Sequence, residues 1–240
     1  MGGRYQGLER LYLTTAYLAP IAYYAHLLAA EEANVEVRLE VHDHYMKQTY
    51  RNRCVIAGPN GRIDLTVPTV KPDTLKCEVK DIRISDHGNW RHLHLYALES
   101  AYGHTPYFEY YRDDFAPFYE QKWEYLVDFN EALQVMVCGL IGMNPNVMHT
   151  NEYEAVVDGL DLREVIHPKK DIAALDASFQ VVPYYQVFQE KLGFLPNLSI
   201  VDLLFNMGPE SLIVLNKSIV SRHFSEQREQ SQACLSYAES

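Results

Sequence analysis

The sequence predicts an α/β or α+β fold in which a strand-rich N-terminal part packs with a helix-rich C-terminal part. Three patterns lead to this prediction: strict apolar/polar alternation at residues 35–41, the turn sequence GPNG between two strand-like segments, and helical spacing of apolar residues after Trp90. The 240 residues contain no repeat and no clear linker. We therefore expect one globular domain over residues 1–225, strand-rich to residue 86 and mainly helical from residue 87, followed by a frayed polar tail at 226–240.

The N-terminal part predicts a strand, a helix, a strand and a hairpin. The segment RLYLTTAYLAP begins as a strand, and Pro20 suits the start of a helix that runs to about Glu32. In VEVRLEV the apolar residues take one face, and Glu36, Arg38 and Glu40 take the other, as in a half-buried strand. The turn GPNG then joins two strands, and a further strand is expected near residues 79–84.

The remainder of the chain predicts helices, each with a local start or stop signal. The expected helices lie at residues 90–102, after residues 113–114, from about 128 to 142, at 184–192 and at 200–207. Gly103 stands where a C-cap belongs, Asp128 and Glu131 have the spacing of a capping box, and Ser199 and Asp202 are cap-like.

Composition limits the classes of function. The formal net charge of −11 argues against nucleic-acid binding, which needs a basic face, but it allows a local basic pocket for one anionic ligand. The four cysteines form no CxxC pair, so reduced thiols in a cytoplasmic protein are the simplest interpretation. Residues 11–30 carry no formal charge, yet Pro20, four tyrosines and His26 argue against a transmembrane span.

Histidines and arginines cluster in HDHYMKQTYRNRC, at residues 42–54. His42 and His44 would share a face if the preceding strand continues, but a metal site needs a third ligand that the spacing does not supply. Hydrogen-bonded or exposed histidines are therefore favoured, and no metal site is predicted.

Arg51 and Arg53 would share a face if their backbone is extended, and Lys47 lies close by in sequence. Two guanidinium groups suit bidentate binding of a phosphate or carboxylate. The alternative is a salt-bridged outer face, in which the arginines pair with acidic neighbours such as Glu36 and Glu40 across the sheet.

His94 interrupts an apolar stripe of the helix that follows Trp90. A core histidine with a backbone hydrogen bond is one interpretation, and a catalytic acid or base in a cleft is the other. His92 cannot chelate one ion together with His94, because residues two apart diverge on a helix.

Five segments of the chain together resemble the bacterial WbqC-like family. They are YLAPIAYY at 17–24, KQTYRNRC at 47–54, NGRIDLTVP at 60–68, ESAYGHTPYFEYY at 99–111 and YYQVFQEKLGFLPNLSIVDLLFNMGPE at 184–210. The resemblance covers roughly residues 11–210. It departs at WRHLHLYALESAYG, where a more basic helix, with Lys or Arg near Leu93 and Tyr96, is expected.

The resemblance implies a role in O-antigen or other surface-polysaccharide production, and a glycine-transferase activity has been suggested for the family. We therefore expect a transferase that acts on an activated sugar or an aminoacyl-type substrate bearing a phosphate or carboxylate. A non-catalytic binding or assembly protein of the same pathway is the alternative. Neither the cofactor nor the oligomeric state follows from the sequence. The expected site residues are His94 as acid or base; Lys47, Arg51 and Arg53 for the anion; Tyr102, Tyr107 and Tyr185 as pocket walls; and Gln186 to orient a polar group.

Overall fold

The computed structural model of this chain describes residues 4–72, 74, 76–220 and 222–223. Its centre is a four-stranded parallel sheet in the order β6-β3-β2-β7. The strands are β2 (Arg10–Thr14), β3 (Glu36–Glu40), β6 (Val147–His149) and β7 (Leu160–Asp161). A short parallel pair, β1 (Tyr5–Gln6) with β8 (Arg222–His223), lies outside this sheet. The predicted mixed α/β class is confirmed.

Strand β2, helix α1 (Ile21–Glu32) and strand β3 form a β-α-β unit, with β2 paired to β3 from Arg10↔Glu36 to Thr14↔Glu40. The helix begins after Pro20, as predicted, because proline has the backbone angle needed there and lacks the N–H that a helix start leaves unpaired. Residues 11–30 are all buried. The uncharged segment is thus split between a core strand and a core helix, and no described helix is long and apolar enough to cross a membrane.

The predicted hairpin is confirmed. Strands β4 (Arg53–Gly58) and β5 (Gly61–Thr66) pair antiparallel, from Arg53↔Thr66 to Gly58↔Gly61. Gly61 has a φ of +128°, which residues with a side chain rarely adopt, so the turn requires a glycine at this position.

The second half is mainly helical. Its helices are α2 (Trp90–Tyr102), α3 (Phe108–Glu120), α4 (Leu126–Ile141), α5 (Ile172–Leu175), α6 (Gln189–Leu192), α7 (Ile200–Met207) and α8 (Ser211–Ser218). Gly142 ends α4 in the left-handed conformation, and Ser199 caps α7 through its side chain, both as predicted.

Four element predictions are wrong. Residues 79–84 form a 3₁₀ turn, Val79–Asp81, and isolated bridges instead of a strand. Helix α3 begins at Phe108, before the aspartates at 113–114 that were expected to precede it. In residues 184–192 only the one turn α6 is helical. Helix α4 begins after Tyr125 and has no capping box, since the Glu131 side chain binds His149 instead.

One continuous set of buried apolar residues extends from Tyr5 to Ile219 and includes side chains of the sheet, the hairpin and the helices. This continuity agrees with the expectation of a single domain, which stays a prediction. The polar tail expected at 226–240 lies outside the described residues.

Candidate functional site

The carboxyl ends of the four parallel strands meet at one edge of the sheet, where ligands commonly bind in α/β proteins. Strand β2 ends at Thr14, β3 at Glu40, β6 at His149 and β7 at Asp161. Polar residues follow directly: Thr15 after β2, the histidine-rich segment after β3, and Arg163 after β7. This edge therefore carries the polar side chains of a candidate site.

Glu40 joins three of these strand ends from a fully buried position. One carboxylate oxygen accepts hydrogen bonds from the His42 amide (2.8 Å) and the Thr150 hydroxyl (3.0 Å). The other lies 3.2 Å from Arg163 Nη1, and Arg163 also forms an ion pair with Asp161 at 2.8 Å. The sequence pattern had placed Glu40 on the outer face. Since its oxygens are all engaged, Glu40 acts as a structural tie between strand ends.

Arg51 lies at the same edge, and its side chain is only 2% exposed. The backbone at residues 51–52 is a turn that precedes β4, so the extended backbone that would align Arg51 with Arg53 is not present. Arg51 Nη2 contacts Asp43 Oδ2 at 2.5 Å, and Glu164 Oε1 lies 3.9 Å away. The Arg51 carbonyl accepts a hydrogen bond from Asn130 of α4, which also donates to Thr15.

Three buried polar atoms, two in the turn at residues 51–52 and one on helix α4, have no hydrogen-bond partner among the residues that the structure describes. They are Arg51 Nε, Asn52 Oδ1 and Asn130 Oδ1. Buried polar groups in proteins are nearly always paired, so a local concentration of unpaired atoms indicates a bound water or ligand. We call Asp43, Arg51, Asn52, Asn130 and Glu164 the Arg51 cluster.

More charged groups surround the Arg51 cluster. Burial lowers the pKa of His167, and the nearby Lys170, Lys169 and Arg51 lower it too, against the effect of Glu164. Lys169 Nζ also reaches Gln48 Oε1 at 3.5 Å. Lys47, the third predicted anion-binding residue, is exposed on the same segment, next to Gln48. The second basic segment, from His167 to Lys170, was not predicted, because it is distant in sequence and has no motif.

Arg53 belongs to a separate contact. It projects from β4 and binds Asp64 Oδ2 at 2.9 Å and Thr66 Oγ1 at 3.3 Å across the hairpin. The structure thus places the two arginines against different carboxylates. Each arginine pairs with a nearby carboxylate, as the salt-bridge alternative proposed, although the partners are Asp43 and Asp64 and not Glu36 or Glu40.

His94 lies in an aromatic cluster, 5% exposed. Its Nδ1 is 2.9 Å from the Tyr17 hydroxyl, and its ring contacts Trp90 and Tyr119. Burial lowers the pKa of His94 to about 4, although a backbone hydrogen bond at Thr66 acts in the opposite direction. No described contact joins His94 to either arginine.

Tyr102 and Gln186 both bind Asp202, a fully buried carboxylate near the start of α7. Tyr102 donates to Asp202 at 2.8 Å, Tyr184 at 2.6 Å and the Gln186 amide at 3.1 Å. Burial raises the pKa of Asp202, while these donors lower it. The sequence indicated Asp202 only as a capping residue. In the structure it is the acceptor that unites two predicted site residues.

The remaining predicted residues lie apart from these groups. Tyr107 is half-buried against Gly208, where an added Cβ would come within 2.4 Å of its ring. Tyr185 is 49% exposed. Leu93 and Tyr96, where the resemblance led us to expect a basic helix, are exposed on α2.

His42 and His44 do not share a strand face, because β3 ends at Glu40. His42 Nδ1 lies 3.0 Å from Glu78 and 3.2 Å from Lys80, whereas His44 is exposed. Within the described ranges, no group of three or more His, Cys, Asp or Glu side chains is arranged to hold a metal ion.

Comparison with known proteins gives a family and one distant relative. The sequence profile of the WbqC-like protein family matches residues 16–214. The chain is 26% identical over 189 residues to "Uncharacterized protein Rv1507c" of Mycobacterium tuberculosis, covering 70% of this chain and 81% of the relative. No solved structure matches. Because the profile covers most of the chain, including strands β3, β6 and β7 of the sheet, the hairpin and helices α1 to α7, this protein belongs to the WbqC-like family.

Proposed function

We propose that this protein is a transferase in the production of bacterial surface polysaccharide. Its substrate would be a small molecule bearing a phosphate or carboxylate, bound at the Arg51 cluster. The observation that carries the proposal is the buried, unpaired Nε of Arg51 at the carboxyl edge of the parallel sheet. The unpaired amide oxygens of Asn52 and Asn130 are acceptors, so they would bind hydroxyl or amino donors of the same ligand. The pathway is proposed from the family resemblance, because family members occur in O-antigen gene clusters.

Arg51 has the properties of an anion-binding residue. Its Nη2 is held by Asp43 while its Nε has no partner within the described part of the chain, so the guanidinium is oriented and retains an N–H for a ligand. Glu164 lies at 3.9 Å, and its side chain is 56% exposed, so it can move aside at little cost. Lys47 and Lys169, at the surface of the same region, supply further positive charge.

A non-catalytic binding protein of the same pathway is the second candidate, and the position of His94 favours it. His94 is enclosed by Tyr17, Trp90 and Tyr119 and has no described contact with Arg51. Convergence of an acid or base with the anion site would favour an enzyme. For the transferase, His94 stays our proposed acid or base, and it would then need access that opens on substrate binding.

The first test is a thermal-shift screen of the whole chain with nucleotide sugars, sugar phosphates, acyl-CoA thioesters and amino acids. A ligand at about a hundred times its Kd adds roughly 2.7 kcal/mol, or about 5–10 °C in Tm for a chain of this size. We expect one anionic class to give such a shift. Arg51→Lys should abolish it, because lysine keeps the charge but loses the planar fork.

Two further variants make the result specific. Arg112→Lys, in an exposed pair with Glu99, is the matched control and should keep the full shift. Asp43→Asn keeps the size of the side chain but removes the carboxylate that orients Arg51, so it should reduce the shift. A shift that is the same in Arg51→Lys and in wild type would refute the site. Consumption of the bound ligand with transfer of its group supports the transferase, whereas intact ligand supports the binding protein.

A further inference from the structure

A cavity of about 340 Å³ lies between helix α4 and the edge strand β6, away from the residues of the Arg51 cluster. We call it the α4–β6 cavity. It is lined by Glu131, Gln134, Val135, Cys138, Gly139, Met143, Asn144, Pro145, Val147 and His149. It is partly open to solvent, since Val135 is 71% exposed and Gly139 is exposed, and its volume lies within the range of small-molecule sites.

Gly139 gives this cavity part of its space. It lies within α4, where glycine is less favourable than alanine, yet a Cβ added there would meet nothing within 4 Å. The walls near it are apolar and come from Val135, Met143, Pro145 and Val147. Because Gly139 has no side chain, an apolar ligand can lie directly against the backbone of α4 at this position.

The charge around the cavity is negative. Glu131 is its one acidic lining residue, bonded to His149, and none of the ten lining residues is a lysine or arginine. On the opposite side Glu31 accepts a hydrogen bond from the Asn144 amide at 2.9 Å. Burial and then the Glu31 carboxylate raise the pKa of the Cys138 thiol to about 12. The C-terminal end of α4, whose last turn has no basic residue, adds partial negative charge.

We propose that the α4–β6 cavity binds a small organic cation, a primary ammonium on an apolar body about as large as a benzene ring. The ammonium would bind Glu131 Oε2, since Oε1 contacts His149, and the apolar body would lie along Gly139, Met143 and Val147. The chain's net charge of −11 agrees with a cationic ligand. This site differs from the anion site in its residues and in the charge that it selects, so either can exist without the other.

The test uses fluorine NMR of the whole chain with three probes of one size: para-fluorobenzylammonium, para-fluorobenzyl alcohol and para-fluorobenzoate. We expect the ammonium to bind most tightly and the benzoate not at all. Glu131→Gln should weaken the ammonium by about fivefold, the ratio that corresponds to a partly exposed ion pair of roughly 1 kcal/mol, and should leave the alcohol unchanged.

Gly139→Leu should abolish binding of both the ammonium and the alcohol, because its side chain fills the cavity. Gly139→Ala is the matched control and should keep binding. Both variants replace a helical glycine with a better helix former, so both are expected to fold. Equal binding of benzoate and ammonium, or undiminished binding to Gly139→Leu, would overturn the proposal.

Discussion

At the scale of the residue, burial and hydrogen-bond partners decide what each polar side chain does. Asp202 is fully buried and accepts from three donors, so its carboxylate organises Tyr102, Tyr184 and Gln186. The Tyr102 hydroxyl in turn accepts from the Ala57 amide at 3.1 Å and thereby joins α2, α7 and the hairpin. This network predicts a structural contribution for Tyr102.

Tyr102→Phe should lower the free energy of unfolding by about 1–3 kcal/mol, because a buried amide and a buried carboxylate oxygen each lose a partner. Urea denaturation followed by circular dichroism measures this loss. The exposed Tyr185→Phe should stay within about 0.5 kcal/mol of wild type. Similar losses in the two variants would contradict the assignment.

The sequence could identify many of the residues but few of their partners. KQTYRNRC pointed to Arg51, and Asp43 lies only 8 residues before it, yet Glu164 and Asn130 lie on distant segments that only the fold brings to Arg51. Alternation placed Glu40 outward because a period of two assumes one solvated face. The strand ends of this parallel sheet are covered, and Glu40 is buried with its own partners.

At the scale of the element, the sequence predicted those helix ends and turns that are determined by one local residue. Pro20, the GPNG turn, Gly142 and Ser199 each have a conformational or hydrogen-bonding preference that acts without distant contacts. Residues 79–84 were mistaken for a strand although their apolar residues are buried as expected. Their backbone groups hydrogen-bond to three different segments, near Val41, Glu124 and Pro68, so the regular pairing with one neighbouring strand that defines a β-strand cannot form.

Helix α7 offers a test of its N-cap. The Ser199 hydroxyl accepts from the Val201 amide at 3.5 Å and donates to the Leu18 carbonyl at 2.7 Å. Ser199→Ala should therefore lower the free energy of unfolding by about 1–2 kcal/mol. Asp171 caps only the single turn α5 and is exposed, so Asp171→Ala should cost less. Denaturant midpoints of both variants decide this, and the reverse order would refute it.

At the scale of the whole molecule, a buried polar chain connects segments from both ends of the sequence. The Tyr5 hydroxyl in β1 bonds to His26 Nδ1 in α1, and His26 Nε2 lies 2.8 Å from Asp176 Oδ2. Ser178 donates to Asp176 through its hydroxyl (2.6 Å) and its amide (2.9 Å), while its own carbonyl accepts from Val220. The Asp176 carboxylate thus holds helix α1 and the segment beside α8 together, and His26 extends the connection to strand β1.

This arrangement predicts how stability depends on pH. Burial alone would raise the pKa of Asp176, but His26 and Ser178 lower it to about 2 from the ordinary 3.8. A carboxyl whose pKa is lower in the folded state stabilises the fold above its unfolded pKa and loses that contribution as protons bind. Asp176 should therefore contribute about 2 kcal/mol above pH 5, of which roughly half is lost by pH 3.

The comparison of wild type with Asp176→Asn by urea denaturation isolates this contribution, since the other carboxyl groups titrate in both proteins. We expect the variant to be less stable at neutral pH, and the difference in unfolding free energy to shrink by about 1 kcal/mol between pH 5 and pH 3. Asp171→Asn, which removes an exposed carboxylate, is the control and should lower the unfolding free energy at neutral pH by less than Asp176→Asn does. A constant difference for Asp176→Asn would mean that the fold does not depend on the charge of this carboxylate, and that the chain from Tyr5 to Ser178 acts through packing alone.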